Sequence, residues 1–168
     1  MQEHTSKMTC QNFGKPNAAY KYIPDNTKIL FDYGCGRYSN NENFCLKNGI
    51  KWFGYDPYWK DDKQNEETLE YINNYYSKID CVICSNVLNV IDNIDVIHNI
   101  LIFLSNIGHS ETKYIFSCYS GNKSGIGKET KKDCWQRNEK IKVWIERFEE
   151  YFNIDYIKND VVICSKKR

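Results

Sequence analysis

Phe31-Asp32-Tyr33-Gly34-Cys35-Gly36 closes one apolar run on a glycine-rich turn, and Phe53-Gly54-Tyr55-Asp56-Pro57 closes a second on a carboxylate. The two turns lie about twenty residues apart, the separation at which a nucleotide-binding βαβ unit places its ribose-binding acid. Glycine has no Cβ, so a backbone rich in it can approach a ligand closely. An acid at the tip of the next strand can accept hydrogen bonds from both hydroxyls of a ribose. Residues 28–57 are therefore expected to build an adenosyl pocket.

Hydrophobic patterning extends this start into a layered α/β domain. Asn17 to Ile23 reads as a short helix stopped by Pro24, and Lys28 to Tyr33 as the first strand. A helix over Asn40–Asn48 ends at Gly49, and Ile50 to Tyr55 forms the second strand. After a helix from about Asn65 to Tyr76, the run Cys81 to Asn86 is apolar for most of its length, as a strand buried on both faces must be. Asp92 reads as the N-cap of a helix carrying Ile94, Ile97, Leu101 and Leu104 at helical spacing. Lys113 to Tyr119 is the fourth strand, and a long polar, glycine-marked segment fills 120–138. Ile141, Trp144, Ile145, Phe148 and Phe152 then mark an amphipathic helix, followed by a hairpin of Ile154–Ile157 and Val161–Cys164 turning at Lys158-Asn159-Asp160. The expectation is a mostly parallel, Rossmann-like sheet with helices on both faces and a C-terminal antiparallel hairpin. Residues 1–16 are expected to be a flexible lead-in, and 17–168 a single domain.

Composition narrows the function classes. A net charge of +1 gives no broad electrostatic case for nucleic acid, and the basic tail Ser165 to Arg168 is short. No apolar run reaches membrane-spanning length, so no membrane partner is expected. The N-terminus lacks the basic and apolar regions of a signal peptide, which points to the cytoplasm. The eight cysteines are then expected to be reduced, and mostly buried. Cys81 and Cys84 have C-x-x-C spacing, but on a strand they face opposite sides, so no metal site is expected.

In order and spacing, Ile29 to Gly36, Gly54-Tyr55-Asp56-Pro57, and Asp80 to Leu88 resemble the first, second and fourth-strand motifs of the class I S-adenosylmethionine-dependent methyltransferases. The closing helix and hairpin resemble that family's antiparallel end, and the likeness covers most of residues 17–164. Ser124 to Thr130, with Gln136-Arg137-Asn138 after it, adds a narrower resemblance to small phage- and bacterium-borne methyltransferases. The resemblance implies S-adenosylmethionine as cofactor. It implies Asp32, Gly34, Cys35 and Gly36 along the methionine half, Asp56 and Pro57 at the ribose, and Ser85 and Asn86 at the end of the central strand. The function implied is methyl transfer to an O or N acceptor, on a nucleic acid, a nucleotide or another molecule. The alternative is a cofactor-binding sensor, partner subunit or degraded enzyme.

Two departures qualify the resemblance. Tyr38 occupies the place of the family's third glycine. The stretch between Asp56 and Asp80 has room for one helix and hardly for an extra strand–helix pair, so the edge of the sheet is expected to be reduced. Gly125-Ile126-Gly127-Lys128 has the outline of a P-loop, yet Asn122 stands where the first glycine belongs and Glu129 where Ser or Thr would bind magnesium. The 120–138 segment reads better as a substrate-facing loop, with Tyr119, Lys123, Lys128, Trp135, Gln136, Arg137 and Asn138 as candidates to meet phosphates or stack a base. Asn86 is followed by Val87-Leu88-Asn89 rather than Pro-Pro-aromatic, which argues against exocyclic-amine DNA methylation by the usual route. His4, His98 and His109 carry no triad signature, and no general base is assigned.

Overall fold

The computed structural model describes residues 14–131 and 134–167. The expectation for the lead-in falls almost entirely outside these residues, as does Cys10. A six-stranded sheet holds β1 (Ile29–Tyr33), β2 (Lys51–Tyr55), β3 (Cys81–Ser85), β4 (Lys113–Ser117), β7 (Phe152–Lys158) and β8 (Val161–Lys166) in the order β2-β1-β3-β4-β8-β7. β1 to β4 run parallel, while β8 is antiparallel to both β4 and β7. Four helices, α1 (Asn40–Lys47), α2 (Asp62–Tyr75), α3 (Ile94–Asn106) and α4 (Ile141–Tyr151), cover the sheet. The mixed α/β architecture and its closing hairpin are those expected.

Alternation along the strands divides the core into two layers. All of β3 is buried. Cys81 and Ile83 join Leu30, Ile115, Tyr20 and Cys45 on one face. Val82 and Cys84 join Phe31, Phe116 and the inward stripes of α3 and α4 on the other. The two cysteines of the C-x-x-C thus lie on opposite faces, and no metal-holding cluster occurs among the described residues. Burial pushes the Cys45 thiol up to about 12 and carries those of Cys35, Cys81 and Cys84 well above the usual thiol range. Such thiols stay protonated at neutral pH and are poor nucleophiles. No helix among the described residues is long and apolar enough to cross a membrane.

The short connection after β2 has a structural consequence. Residues 57–80 supply only α2 and a 3₁₀ turn, so β2 is an edge strand. A bare edge leaves backbone groups unpaired. Here α2 caps it with side chains. Asn65 accepts from the Asp56 N–H at 3.0 Å and donates to the Asp56 carbonyl at 2.9 Å, as a neighbouring strand would. Thr68 donates to the Gly54 carbonyl at 3.2 Å. Asn65, Thr68 and Ile72 are the buried residues of α2, so its inward stripe is polar where it meets the strand edge and apolar where it meets the core. Asp61 starts this helix with a reciprocal capping box to Gln64, which places the helix three residues earlier than expected.

Three other expectations are corrected. Asn93, not Asp92, caps α3, accepting from the Asp95 N–H at 2.9 Å. Phe152 opens β7 rather than closing α4, because its N–H ends the helix on the Phe148 carbonyl and its backbone is already extended. The 120–138 segment is not featureless: β5 (Lys128–Lys131) and β6 (Cys134–Gln136) form a separate two-stranded antiparallel arm.

The base of that arm is stapled to the body. Arg137 donates from its side chain to the carbonyls of Ile91 and Asp92, each at 3.1 Å. Glu139 sits between Arg137 and Arg147, pairing with Arg137 at 3.5 Å and with Arg147 through two contacts. All three side chains are largely buried. Glu139→Ala would leave two guanidinium groups facing each other in a poorly hydrated site, so we predict a loss of about 3 kcal/mol in urea unfolding. Glu67→Ala, which breaks the exposed Lys63 pair, should change stability by less than about 0.5 kcal/mol. Equal effects would contradict the staple.

Candidate functional site

The carboxyl ends of β1, β2 and β3 converge on one rim, and the sequence-predicted cofactor residues lie there. Gly34 and Gly36 adopt φ of +77° and +76°, the left-handed region that disfavours side chains. The N–H groups of Gly34 and Cys35 both donate to the Tyr55 carbonyl, at 2.7 and 3.1 Å, tying the first turn to the end of β2. A Cβ on Gly34 would lie 2.1 Å from Val87 Cγ2, so the turn is also fixed against the chain leaving β3. Cys35 is buried beneath the turn, with its Sγ close to Gly54.

Asp56 is the hub of this rim. It is 6% exposed, and its Oδ2 accepts from the Gly36 N–H at 2.8 Å. Its Oδ1 accepts from the N–H groups of Tyr58 and Trp59 at 3.0 and 3.1 Å. One carboxylate therefore locks the two turns together. An ionised carboxylate offers roughly four acceptor positions. Three are taken, so accepting from both ribose hydroxyls requires it to release one backbone amide.

Asp32 lies deeper at the end of β1. Its Oδ2 accepts from the Tyr20 hydroxyl at 2.6 Å and from Asn41 Nδ2 at 3.0 Å. Trp52 Nε1 donates to the Tyr20 hydroxyl at 2.9 Å. On the other side, Asn41 Oδ1 accepts from the Asn17 N–H at 2.9 Å, and Asn17 Oδ1 accepts from the Ser85 hydroxyl at 3.0 Å. A polar relay thus runs from Trp52 to Ser85 beneath the rim. Asn17, Tyr20, Asn41 and Trp52 were not among the residues singled out from sequence. Their only signals are a tyrosine in the short helix expected over Asn17–Ile23 and an asparagine on the inward side of α1.

Burial raises Asp32 to about 6, against the hydrogen bonds from Tyr20 and Asn41 that pull it down. It has no cationic partner among the described residues. A folded-state pKa above the unfolded value means the folded state holds the proton more tightly. The associated stability is complete below about pH 4 and is lost as the pH rises through about 6. We predict that Asp32→Asn flattens the pH dependence of the urea midpoint across this window. A dependence unchanged from wild type would contradict the assignment.

Ser85 and Asn86 end the central strand. Asn86 has a φ of +58°, donates its N–H to the Ser117 carbonyl at 2.7 Å, and accepts from the Tyr119 N–H at 3.1 Å through Oδ1. Its NH₂ group has no partner among the described residues. Pro57 is exposed at the start of the turn that Asp56 holds. Tyr38, in the place of a third glycine, is 40% exposed, with the Arg37 guanidinium 5.8 Å from its ring centroid.

The substrate candidates divide. Tyr119 is 58% exposed beside Asn86. Gln136 is spent on internal bonds to the Tyr119 carbonyl at 3.0 Å and to Asn89 at 3.3 Å. Arg137 forms the staple described above. Asn138 is buried, donates to the Ile126 carbonyl at 2.9 Å and accepts from the Asn122 N–H at 3.2 Å. These three hold the arm in place, which the sequence reading did not foresee. Trp135 packs over Gly127, where a Cβ would come within 2.5 Å of its ring. Lys123 borders a shallow cleft of about 420 Å³ with Lys140, Asn159 and Asp160, on the β8 side of β4. Lys128 lies exposed on β5.

Neither described histidine approaches the rim. His98 contacts the Tyr151 hydroxyl at 2.7 Å between α3 and α4. His109 Nδ1 accepts from the Glu111 N–H, so Nε2 carries the proton and faces Asp80 at 3.3 Å, at the amino ends of the strands.

No family model and no curated protein matches the sequence. Solved structures do match. An S-adenosylmethionine-dependent methyltransferase from Clostridium acetobutylicum ATCC 824 aligns with a TM-score of 0.60 at 13% identity, over 89% of both chains. The fold is that of the S-adenosylmethionine-dependent methyltransferases. A TehB-like enzyme of this kind from Corynebacterium glutamicum aligns with a TM-score of 0.57 at 12% identity, over 89% of this chain and 85% of its own. Another from Archaeoglobus fulgidus reaches 0.54 at 14% identity, over 88% and 90%. At these identities the likeness is one of fold.

Proposed function

We propose that the chain binds S-adenosylmethionine at the rim of β1, β2 and β3 and transfers its methyl group to an O or N acceptor. The observation that carries this is the convergence of the left-handed Gly34–Gly36 turn, Asp56, Ser85 and Asn86 at the carboxyl ends of adjacent parallel strands. In open α/β sheets that is where ligands bind. The donor and acceptor set also fits the cofactor's chemistry. Asp32 is a buried carboxylate without a cation, near the turn where the cofactor's cationic methionine half would lie. Asp56 meets the ribose, with Pro57 shaping the turn beside it. Asn86 presents its NH₂ group, which suits a carboxylate or hydroxyl oxygen rather than a protonated amine.

When bound, the cofactor's sulfonium supplies an electrophilic methyl for in-line transfer to an acceptor lone pair. The chain's part is alignment. Tyr119 and Asn86 border the acceptor side, and Gln136 ties the base of the arm to the Tyr119 carbonyl beside it. No general base is assigned, and the rate enhancement is attributed to proximity and orientation, with the acceptor's proton passing to solvent. A second reading, binding without transfer, is favoured by Tyr38 at the third-glycine position. Calorimetry with S-adenosylmethionine and S-adenosylhomocysteine tests the binding, and radiolabelled methyl transfer to DNA, RNA and small-molecule pools tests the chemistry. Binding without turnover in any pool would select the second reading.

A further inference from the structure

Arg37 and Lys60 are cations held over aromatic rings beside the 57–60 turn, and neither has a carboxylate partner among the described residues. The Arg37 guanidinium lies 5.4 Å from the Trp59 ring centroid as well as 5.8 Å from that of Tyr38. The Lys60 ammonium lies 5.5 Å from the Trp52 ring centroid. The other two described arginines, Arg137 and Arg147, are both engaged by Glu139. Asp56, on the N-terminal side of the turn, directs both oxygens at backbone amides. Asp61 directs its carboxylate at Gln64 to cap α2.

Ring contacts orient a guanidinium over its faces and leave its edge donors outward, the geometry that grips an oxyanion with two parallel bonds. Arg37 and Tyr38 are exposed, Tyr58 is 45% exposed, and they follow directly on Gly36 and Pro57 of the two rim turns. Exposed aromatic faces next to two cations suit a planar base carried on a phosphate.

We propose that Arg37 and Lys60 receive a phosphate at the β1–β2 end of the rim, and that the methyl acceptor is a nucleotide unit, either free or within a single strand, that reaches from there toward Asn86 and Tyr119. This rests on the methyltransferase reading for its role, but its binding test does not. The probes are thymidine 5′-monophosphate, followed by calorimetry, and a labelled oligothymidylate of about eight nucleotides, followed by anisotropy across a salt series.

The expected result is binding of at least one probe by the wild type, and its loss in the double variant Arg37→Gln, Lys60→Gln. For the strand, the slope of log affinity against log salt should fall by about 1.4, about 0.7 for each phosphate contact removed. S-adenosylhomocysteine affinity should stay within about twofold, since these cations are assigned to the acceptor. Binding of the mononucleotide alone points to a free nucleotide, and binding of the strand alone to a nucleic acid. The proposal is overturned if neither probe binds the wild type, or if the double variant binds them as well as the wild type does. It is also overturned if the variant loses S-adenosylhomocysteine in parallel, which would assign the cations to the cofactor. Phosphate binding that depends on the two cations, with no S-adenosylhomocysteine binding by the wild type, would keep the site and reject the methyltransferase role.

Discussion

Asp56→Ala is expected to weaken S-adenosylhomocysteine binding by about a hundredfold or more, and to destabilise the fold by about 3 kcal/mol. Both effects have one origin. The carboxylate accepts from the amides of Gly36, Tyr58 and Trp59, so it holds the glycine turn against the turn that follows β2. Alanine leaves three N–H groups without their acceptor. The side chain is nearly buried, so water replaces it poorly. Asp56→Asn separates the roles. It keeps one acceptor oxygen but turns an NH₂ group toward an amide donor, so it should retain part of the stability while losing most of the binding. An Asp56→Ala protein with wild-type affinity would show that this acid is only a turn-former.

Gly34→Ala is expected to cost about 2–5 kcal/mol in urea unfolding and to abolish measurable cofactor binding. A non-glycine residue in the left-handed region costs about 1–2 kcal/mol, and forced overlap in a packed site typically adds about 1–3 kcal/mol. The overlap is specific, since the new methyl group would meet Val87 Cγ2 at 2.1 Å. A double variant, Gly34→Ala with Val87→Ala, relieves the overlap but not the backbone strain. It should recover more stability than the loss at Val87 alone would predict. Strict additivity of the two substitutions would contradict the contact.

Strand and helix order was legible because each element carries a plain periodic signal. The uninterrupted apolar run of Cys81 to Cys84 announces a central strand, and the spacing of Trp144 and Phe148 announces the covering helix. The reduced sheet edge was legible from the length between Asp56 and Asp80. How the edge is closed was not. Asn65 and Thr68 are polar residues on an inward stripe, and polarity alone reads as solvent exposure until β2 is seen beside them. The arm escaped for a similar reason: Lys128–Lys131 is exposed and charged, without the alternation that marks a half-buried strand.

The site was legible in its backbone features more than in its side chains. Gly34, Gly36 and Asp56 stand in a motif whose spacing reflects a backbone requirement. The partners of Asp32 come from Tyr20 and Asn41, which no local pattern connects to it. Gln136, Arg137 and Asn138 look like substrate contacts in sequence because polar residues in a glycine-marked loop can serve either purpose. Only the fold shows that carbonyls of Tyr119, Ile91 and Ile126 consume them.

Calorimetric titration of the wild-type chain with S-adenosylhomocysteine is the most direct test of the central claim. One molecule per chain should bind, and Asp56→Ala should lose about a hundredfold in affinity, equivalent to about 2.7 kcal/mol. No heat and no shift in thermal stability at millimolar ligand, or binding that Asp56→Ala leaves unchanged, would contradict it.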